Sequence, residues 1–236
     1  MSVKQSDKVL SHADLTIKEG FSIQRGINFH PQNKDYSIFL MSVTPNAPYN
    51  DGFDAKGERL YYEGEDVNKR EKPQPKEHDQ PFFSKTGKKT NNGKFFKLAE
   101  DYKYGRLKKP EKIQVYEKIK NNVWSDKGFF YLIDVEYVYS KLEKRKTFKF
   151  VLEPLSSHKG FSQEEYEDFE FSRRIPTGVK RDVWERDGGK CRKCDSRKNL
   201  HFDHLIPFSK GGSSLDPKNI QILCGRHNLQ KSDKII

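Results

Sequence analysis

Two pairs near the C-terminus, Cys191-x-x-Cys194 and Cys224-x-x-His227, constrain the fold of this chain more than any other feature. All 3 cysteines of the sequence lie in these pairs. Two pairs so spaced match a tetrahedral zinc site built from two knuckles. Four protein ligands leave no open position for water or substrate, so such a zinc is expected to be structural. It would fold a segment of about 60 residues that cannot bury enough core alone. The alternative, two disulfide-capable thiols and a third buried one, calls for an oxidising compartment. Residues 1–30 lack the continuous apolar stretch of a secretory signal and carry Lys4, Lys8, Lys18, Glu19 and Arg25. No stretch approaches the roughly 20 apolar residues of a membrane span. A soluble, cytoplasmic chain with reduced thiols is expected.

A closed zinc site leaves the chemistry to residues between the knuckles. A strand-like run from Asn199 to Leu205 ends in Asp203-His204. A Gly-Gly-Ser-Ser loop follows, then a second strand-like run from Ile220 to Leu223 and a short basic helix-like tail from His227. A neutral imidazole takes a proton from water near pH 7, which makes His204 the candidate general base. The Asp203 carboxylate suits a hard cation such as Mg²⁺. His201, two residues earlier, is read as structural.

In this order of elements, residues 173 to 236 resemble the HNH nuclease family, two strands and a helix around one divalent metal. The resemblance implies that Asp203 ligates Mg²⁺ or Mn²⁺ and that His204 activates the attacking water. It further implies that Asn219 holds the loop and orients the histidine. Lys231 fixes the register and puts Asn228 where a ligand histidine usually sits; an amide oxygen can still bind either metal.

The net charge of +11 is uneven. From Arg173 onward there are 15 Lys and Arg against 7 Asp and Glu, while the preceding part holds 30 against 27. The positive field therefore sits on the nuclease-like part, as a phosphate-gripping module requires. Glu153-Pro154 closes an apolar run, a Ser-Ser-His-Lys-Gly loop follows, and an acidic stretch runs from Gln163 to Glu170. These signals divide the chain into a first domain at 1–155, a linker at 156–175 that keeps the domains separable, and a nuclease domain at 176–236. Thr177 is a candidate helix cap, and Val179, Val183 and Trp184 give that helix an apolar stripe ended by Asp187-Gly188-Gly189.

The first domain reads as mostly β, with strands predicted at Tyr36 to Val43, Phe129 to Tyr139 and Thr147 to Leu152. A helix is predicted at Gly93 to Tyr102, turns at Asn50-Asp51-Gly52 and Asn91-Asn92-Gly93, and an exposed loop at Pro73 to Pro81. The blocks Pro48-Tyr49-Asn50-Asp51-Gly52, Leu60-Tyr61-Tyr62-Glu63-Gly64, Asp79-Gln80 and Asn92-Gly93-Lys94-Phe95-Phe96 come in the order seen in the SRA domain. Ile113 to Tyr116 and Gly128 to Tyr131 continue the match. The region thus resembles that PUA-like β-barrel, which binds DNA and flips a modified cytosine into a pocket. The resemblance implies Tyr49 and Tyr62 as the stacking pair and Asp51, with Asp54 as rival, as reader of the base edge; a bare barrel core with a plain hairpin turn is the alternative. The fold class expected is α+β: an SRA-like barrel followed by a zinc-stapled ββα-metal module.

Together the halves imply a modification-dependent, type IV-like restriction endonuclease acting on double-stranded DNA that carries 5-methyl- or 5-hydroxymethylcytosine, as a homodimer if both strands are cut. The alternatives are a sequence-specific HNH endonuclease, homing or conventional, and a non-catalytic reader of modified DNA.

Overall fold

The computed structural model describes residues 7–44, 46–54, 58–155 and 174–235. Most of the expected linker, including its acidic run, lies outside them. The described N-terminal part carries strands β1 (Val9–Ser11), β2 (Ile27–Asn28), β3 (Ser37–Ser42), β4 (Gly52–Phe53), β5 (Leu60–Glu63), β6 (Glu111–Lys120), β7 (Val123–Ser140) and β8 (Arg145–Pro154), with helices α1 (His12–Glu19) and α2 (Asn91–Lys103). The C-terminal part has α3 (Thr177–Arg186), β9 (Leu200–His204), β10 (Ile220–Cys224) and α4 (Gly225–Lys231). The fold is α+β. No helix among the described residues is long and apolar enough to cross a membrane.

The strands β2-β3-β6-β7-β8-β5-β4 form one hydrogen-bonded path, with β1 paired to β7. Among the described residues only β3 and β6 run parallel; the other pairs of this sheet are antiparallel. Among the described residues the backbone ladder of this path does not close on itself. Side chains bring its ends together instead. The Tyr62 hydroxyl of β5 donates to the Leu40 carbonyl of β3 at 3.1 Å, and Asp51 accepts from the Ser42 N–H at 3.1 Å. Phe39, Phe95, Phe148 and Phe150 fill the space so enclosed. Full burial of each phenylalanine contributes on the order of 2–3 kcal/mol.

Two local expectations fail for identifiable reasons. Asn91-Asn92-Gly93 is the first turn of α2, not a loop, because the Thr90 hydroxyl accepts from the Gly93 N–H and caps the helix. Thr177 does not cap α3: Pro176 holds the cap position, and the Thr177 hydroxyl is spent on the Glu117 carboxylate of β6.

That contact belongs to a junction between the two parts. Val9 of β1 sits in the same apolar cluster as Val179, Val183, Leu200, Phe202, Ile220 and Ile222. Lys8 bridges His201 of β9, the Phe202 N–H reaches the Asp7 carbonyl at 3.3 Å, and the Asp126 N–H reaches the Lys8 carbonyl at 2.9 Å. Beside this lies a buried charged cluster. The fully buried Lys180 of α3 contacts Asp7 at 2.6 Å, the Ser125 hydroxyl at 3.0 Å and Glu117 at 3.7 Å. Lys127 joins it, 3.4 Å from Glu117 and 3.9 Å from Asp7. Burial disfavours all four charges, but the two ammonium groups more than offset it for Asp7 and Glu117, whose carboxyls lie below their ordinary range.

Candidate active site and base-reading cluster

The zinc ligands converge. Ligand atoms of Cys191, Cys194, Cys224 and His227 all lie within 4.8 Å of one another. The Cys191 and Cys224 sulfurs are each 3.4 Å from His227 Nδ1, and Cys194 and Cys224 are 3.9 Å apart. A tetrahedral zinc with ordinary bond lengths needs edges of about 3.8 Å between sulfurs and about 3.6 Å between sulfur and nitrogen. The donor set therefore fits zinc, and the thiols are not joined. Burial raises the Cys191 thiol, but the Cys224 and Lys193 N–H groups and His227 outweigh it and bring it down to about 6, which favours a thiolate ligand.

On the hairpin of β9 and β10, Asp203 faces Gln221 and His204 faces Ile220. Asp203 is held by the Gln221 amide and by the buried Lys231 ammonium, each at 3.1 Å. Both contacts fall on Oδ2. Asn228 lies three residues before Lys231 on α4. His204 lies at the strand end with Nε2 2.8 Å from the Ser214 hydroxyl, and Ser214 itself is buried. Asn219 ties the loop: its carbonyl accepts from the Ile206 N–H at 2.9 Å, and its amide donates to the Ile206 and Ser213 carbonyls at 3.1 and 2.9 Å. Gly212 lets the loop close, since a Cβ there would meet the Ile206 carbonyl oxygen at 1.8 Å. Asn219 thus reaches His204 through the backbone next to Ser214, and Ser214 is the histidine's direct partner. Sequence reasoning missed Ser214, although it is the last residue of the Gly-Gly-Ser-Ser loop. It also used Lys231 only as a register mark, without its charge. His201 sits on the Asp203 face, where burial and then the Lys8 charge lower its imidazole, keeping it neutral.

In the N-terminal part the quoted sequence blocks meet around one polar cluster. Glu63 and Asp66 share the Gln80 amide and the Arg145 guanidinium, with Asp66 2.7 Å from Arg145. Asn92 pairs with the backbone of Glu65, both bonds at 2.8 Å. Gly64 is required there, because a Cβ would meet Asn92 and Gln80 oxygens at 2.8 Å. Asp51 accepts the Glu63 and Ser42 N–H groups at 3.0 and 3.1 Å; burial nonetheless pushes its carboxyl up to about 7. Tyr49 is half-buried, with the Lys76 ammonium 4.5 Å above its ring, and burial followed by the Asp66 charge pushes its phenol up to about 12. Tyr62 is 3% exposed and packs against Phe39, ring centres 4.4 Å apart, so it is placed as core. Asp54 accepts from the Glu58 N–H at 2.8 Å.

Residues 191–234 match the model of the HNH endonuclease family. No curated protein sequence matches the chain. Among solved structures, the SRA domain of SUVH5 bound to fully hydroxymethylated CG DNA is similar over 68% of this chain and 97% of its own, at 17% identity and a TM-score of 0.44. The type IV phosphorothioation-dependent restriction endonuclease ScoMcrA is similar over 99% of this chain and 60% of its own, at 14% identity and a TM-score of 0.41. The modification-dependent restriction endonuclease TagI is similar over 96% of this chain and 76% of its own, at 11% identity and a TM-score of 0.40.

Proposed function

We propose that this chain, whose residues 191–234 form an HNH endonuclease module, cuts double-stranded DNA where its N-terminal domain finds a modified cytosine. The observation that carries the catalytic half is the Asp203-His204 pair on a hairpin stapled by four zinc-type ligands, with separate holders for the carboxylate and the imidazole. His204 takes a proton from the water that attacks phosphorus, and the ester oxygen opposite that water leaves. Ser214 holds the ring from its Nε2 side while Asn219 keeps the loop that carries Ser214 closed. Asp203 and Asn228 offer a carboxylate and an amide oxygen, donors suited to Mg²⁺ or Mn²⁺, a cation that would supply charge stabilisation at the phosphate.

Selectivity must come from elsewhere, because backbone contacts carry no sequence information. Tyr49 supplies a stacking face for an extruded base once Lys76 moves aside, and Asp51 supplies acceptor oxygens for the cytosine amino group. Tyr62 forms the wall of this pocket from the core side. The deep packing of Tyr62 favours a second reading, in which the first domain reads unmodified bases in a groove.

Digestion of matched duplexes carrying cytosine, 5-methylcytosine, 5-hydroxymethylcytosine and its glucosylated form, with Mg²⁺ and with Mn²⁺, decides between them. Cutting confined to modified duplexes supports the proposal. Equal cutting of all at a fixed sequence supports the groove reader, and binding without cutting in either metal supports a non-catalytic reader. One active site per chain makes one nick, so double-strand cleavage implies two copies.

A further inference from the structure

The segment leading into the HNH module grips the N-terminal part on both flanks of Asp51. On one flank the Arg181 guanidinium of α3 donates to the Val43 carbonyl at 3.4 Å, and Val43 follows Ser42, whose N–H Asp51 accepts at 3.1 Å. On the other flank the Arg174 guanidinium, three residues before α3, lies 5.1 Å over the ring of Phe53, two residues past Asp51. The Arg181 contact is poorly made. Its length lies beyond the usual range, and among the described residues its Nε is buried and finds no acceptor. The neighbouring Lys180 cluster is tightly closed, so Arg181 is the part of the junction that a small shift would remake.

The far end of α3 is made well. Arg186, its last residue, donates to the Pro217 and Ile220 carbonyls at 2.6 and 2.7 Å and is braced by Asp187 at 2.7 and 2.9 Å. Asp187 in turn accepts the Ile222 N–H at 3.0 Å. The two carbonyls bracket Asn219, which ties Ile206 to Ser213 beside the contact of Ser214 with His204. A planar, preorganised guanidinium fork fixes such a turn as a lysine could not.

We infer that α3 couples reading to cutting, with Arg181 as the specificity-determining contact and Arg186 as a positioning residue for His204. An amino group accepted by Asp51 competes with the Ser42 and Glu63 N–H groups that hold its two oxygens. The Ser42–Val43 backbone then shifts and Arg181 follows. The helix, pinned at Lys180, tilts and resets the turn that carries Asn219. The inference rests on the base-reading proposal above, and its test separates the two. The zinc-loaded full chain is compared with Arg181→Met, and with Arg174→Leu as a second release of the same grip, on matched modified and plain duplexes. Single-turnover nicking at saturating enzyme takes affinity out of the comparison, and titrations in a His204→Ala background measure affinity itself. The parent should nick bound modified duplex at least about tenfold faster than bound plain duplex. In both variants that ratio should fall to within about twofold, while affinity for the modified duplex and melting temperature hold. Arg186→Lys should slow nicking about tenfold, yet add less than about twofold to Asn219→Ala, since both act through one turn. A ratio kept by either folded variant, or fully multiplicative losses from Arg186→Lys and Asn219→Ala, overturns the coupling. Equal saturating rates in the parent, with tighter binding of the modified duplex, overturn it too and leave base reading standing. Equal rates and equal affinities sink both.

Discussion

Replacing Lys180 by methionine tests whether the two parts of the chain form one body. The side chain is fully buried, and its ammonium is the nearest cation to Asp7, at 2.6 Å. Methionine keeps much of the volume and removes the charge, leaving Asp7 and Glu117 with Lys127 at 3.9 and 3.4 Å and the more distant charge of Arg174. Removing one partner of a buried pair costs about 3–5 kcal/mol, because the partner charge stays in a poorly solvated place. Lys127 still neutralises part of the cluster, which puts the loss near the lower end, about 3 kcal/mol. For a chain of this size that lowers the melting temperature by about 6–12 °C. Calorimetry on the zinc-loaded chain measures it. Asp7→Asn in the same background should recover part of the loss, since the stranded charge is then gone. Because the cluster joins α3 to β6 and β7, the variant should also spread the cleavage positions around a modified site. A drop under about 2 °C with no recovery by Asp7→Asn would refute the reasoning.

Cys191→Ser or Cys194→Ser should leave the C-terminal module unfolded, since a structural zinc contributes on the order of 10 kcal/mol to folding; metal analysis should find about one zinc per chain, bound whether or not Mg²⁺ is added. His204→Ala should lower cleavage about 10²- to 10⁴-fold with DNA binding intact, and Ser214→Ala should lower it less, as measured by single-turnover nicking. Asn228→His should keep or raise activity with a shifted Mg²⁺/Mn²⁺ preference, read from the same assay in each metal. The Asp51 carboxyl, raised to about 7, binds its proton more tightly folded than unfolded. Stability should therefore fall as pH rises from about 4 towards about 7, while affinity for a modified duplex rises through about pH 7 as the carboxylate forms; Asp51→Asn should flatten both curves.

The metal cluster was legible because its spacing is local: two residues within each knuckle and a hairpin that folds one onto the other. β9 and β10 could be read to within a residue or so for the same reason. The N-terminal blocks were legible as a set, since Gly64, Gln80 and Asn92 must fit one another, but individual roles were not. Nothing in the sequence around Tyr62 distinguishes a ring packed on Phe39 from one that faces a ligand. The junction was the least visible. Thr177 reads as a cap and nothing in the local sequence marks Lys180, yet residues from positions 7, 117, 125 and 127 surround them.

The seating of residues 7–9 against both β7 and β9 has a consequence for the order in which the molecule can be made. A ribosome delivers this segment long before His201, and longer still before Cys224 and His227 complete the staple. At about 5–20 residues per second the delay is roughly 10–40 s. Once β8 has emerged, at Pro154, the first domain can close its core, while for roughly 4–15 s more the C-terminal module still lacks Cys224, His227 and Asn228. A chain cut short at residue 220 would keep the first domain but only two of the four zinc-type ligands.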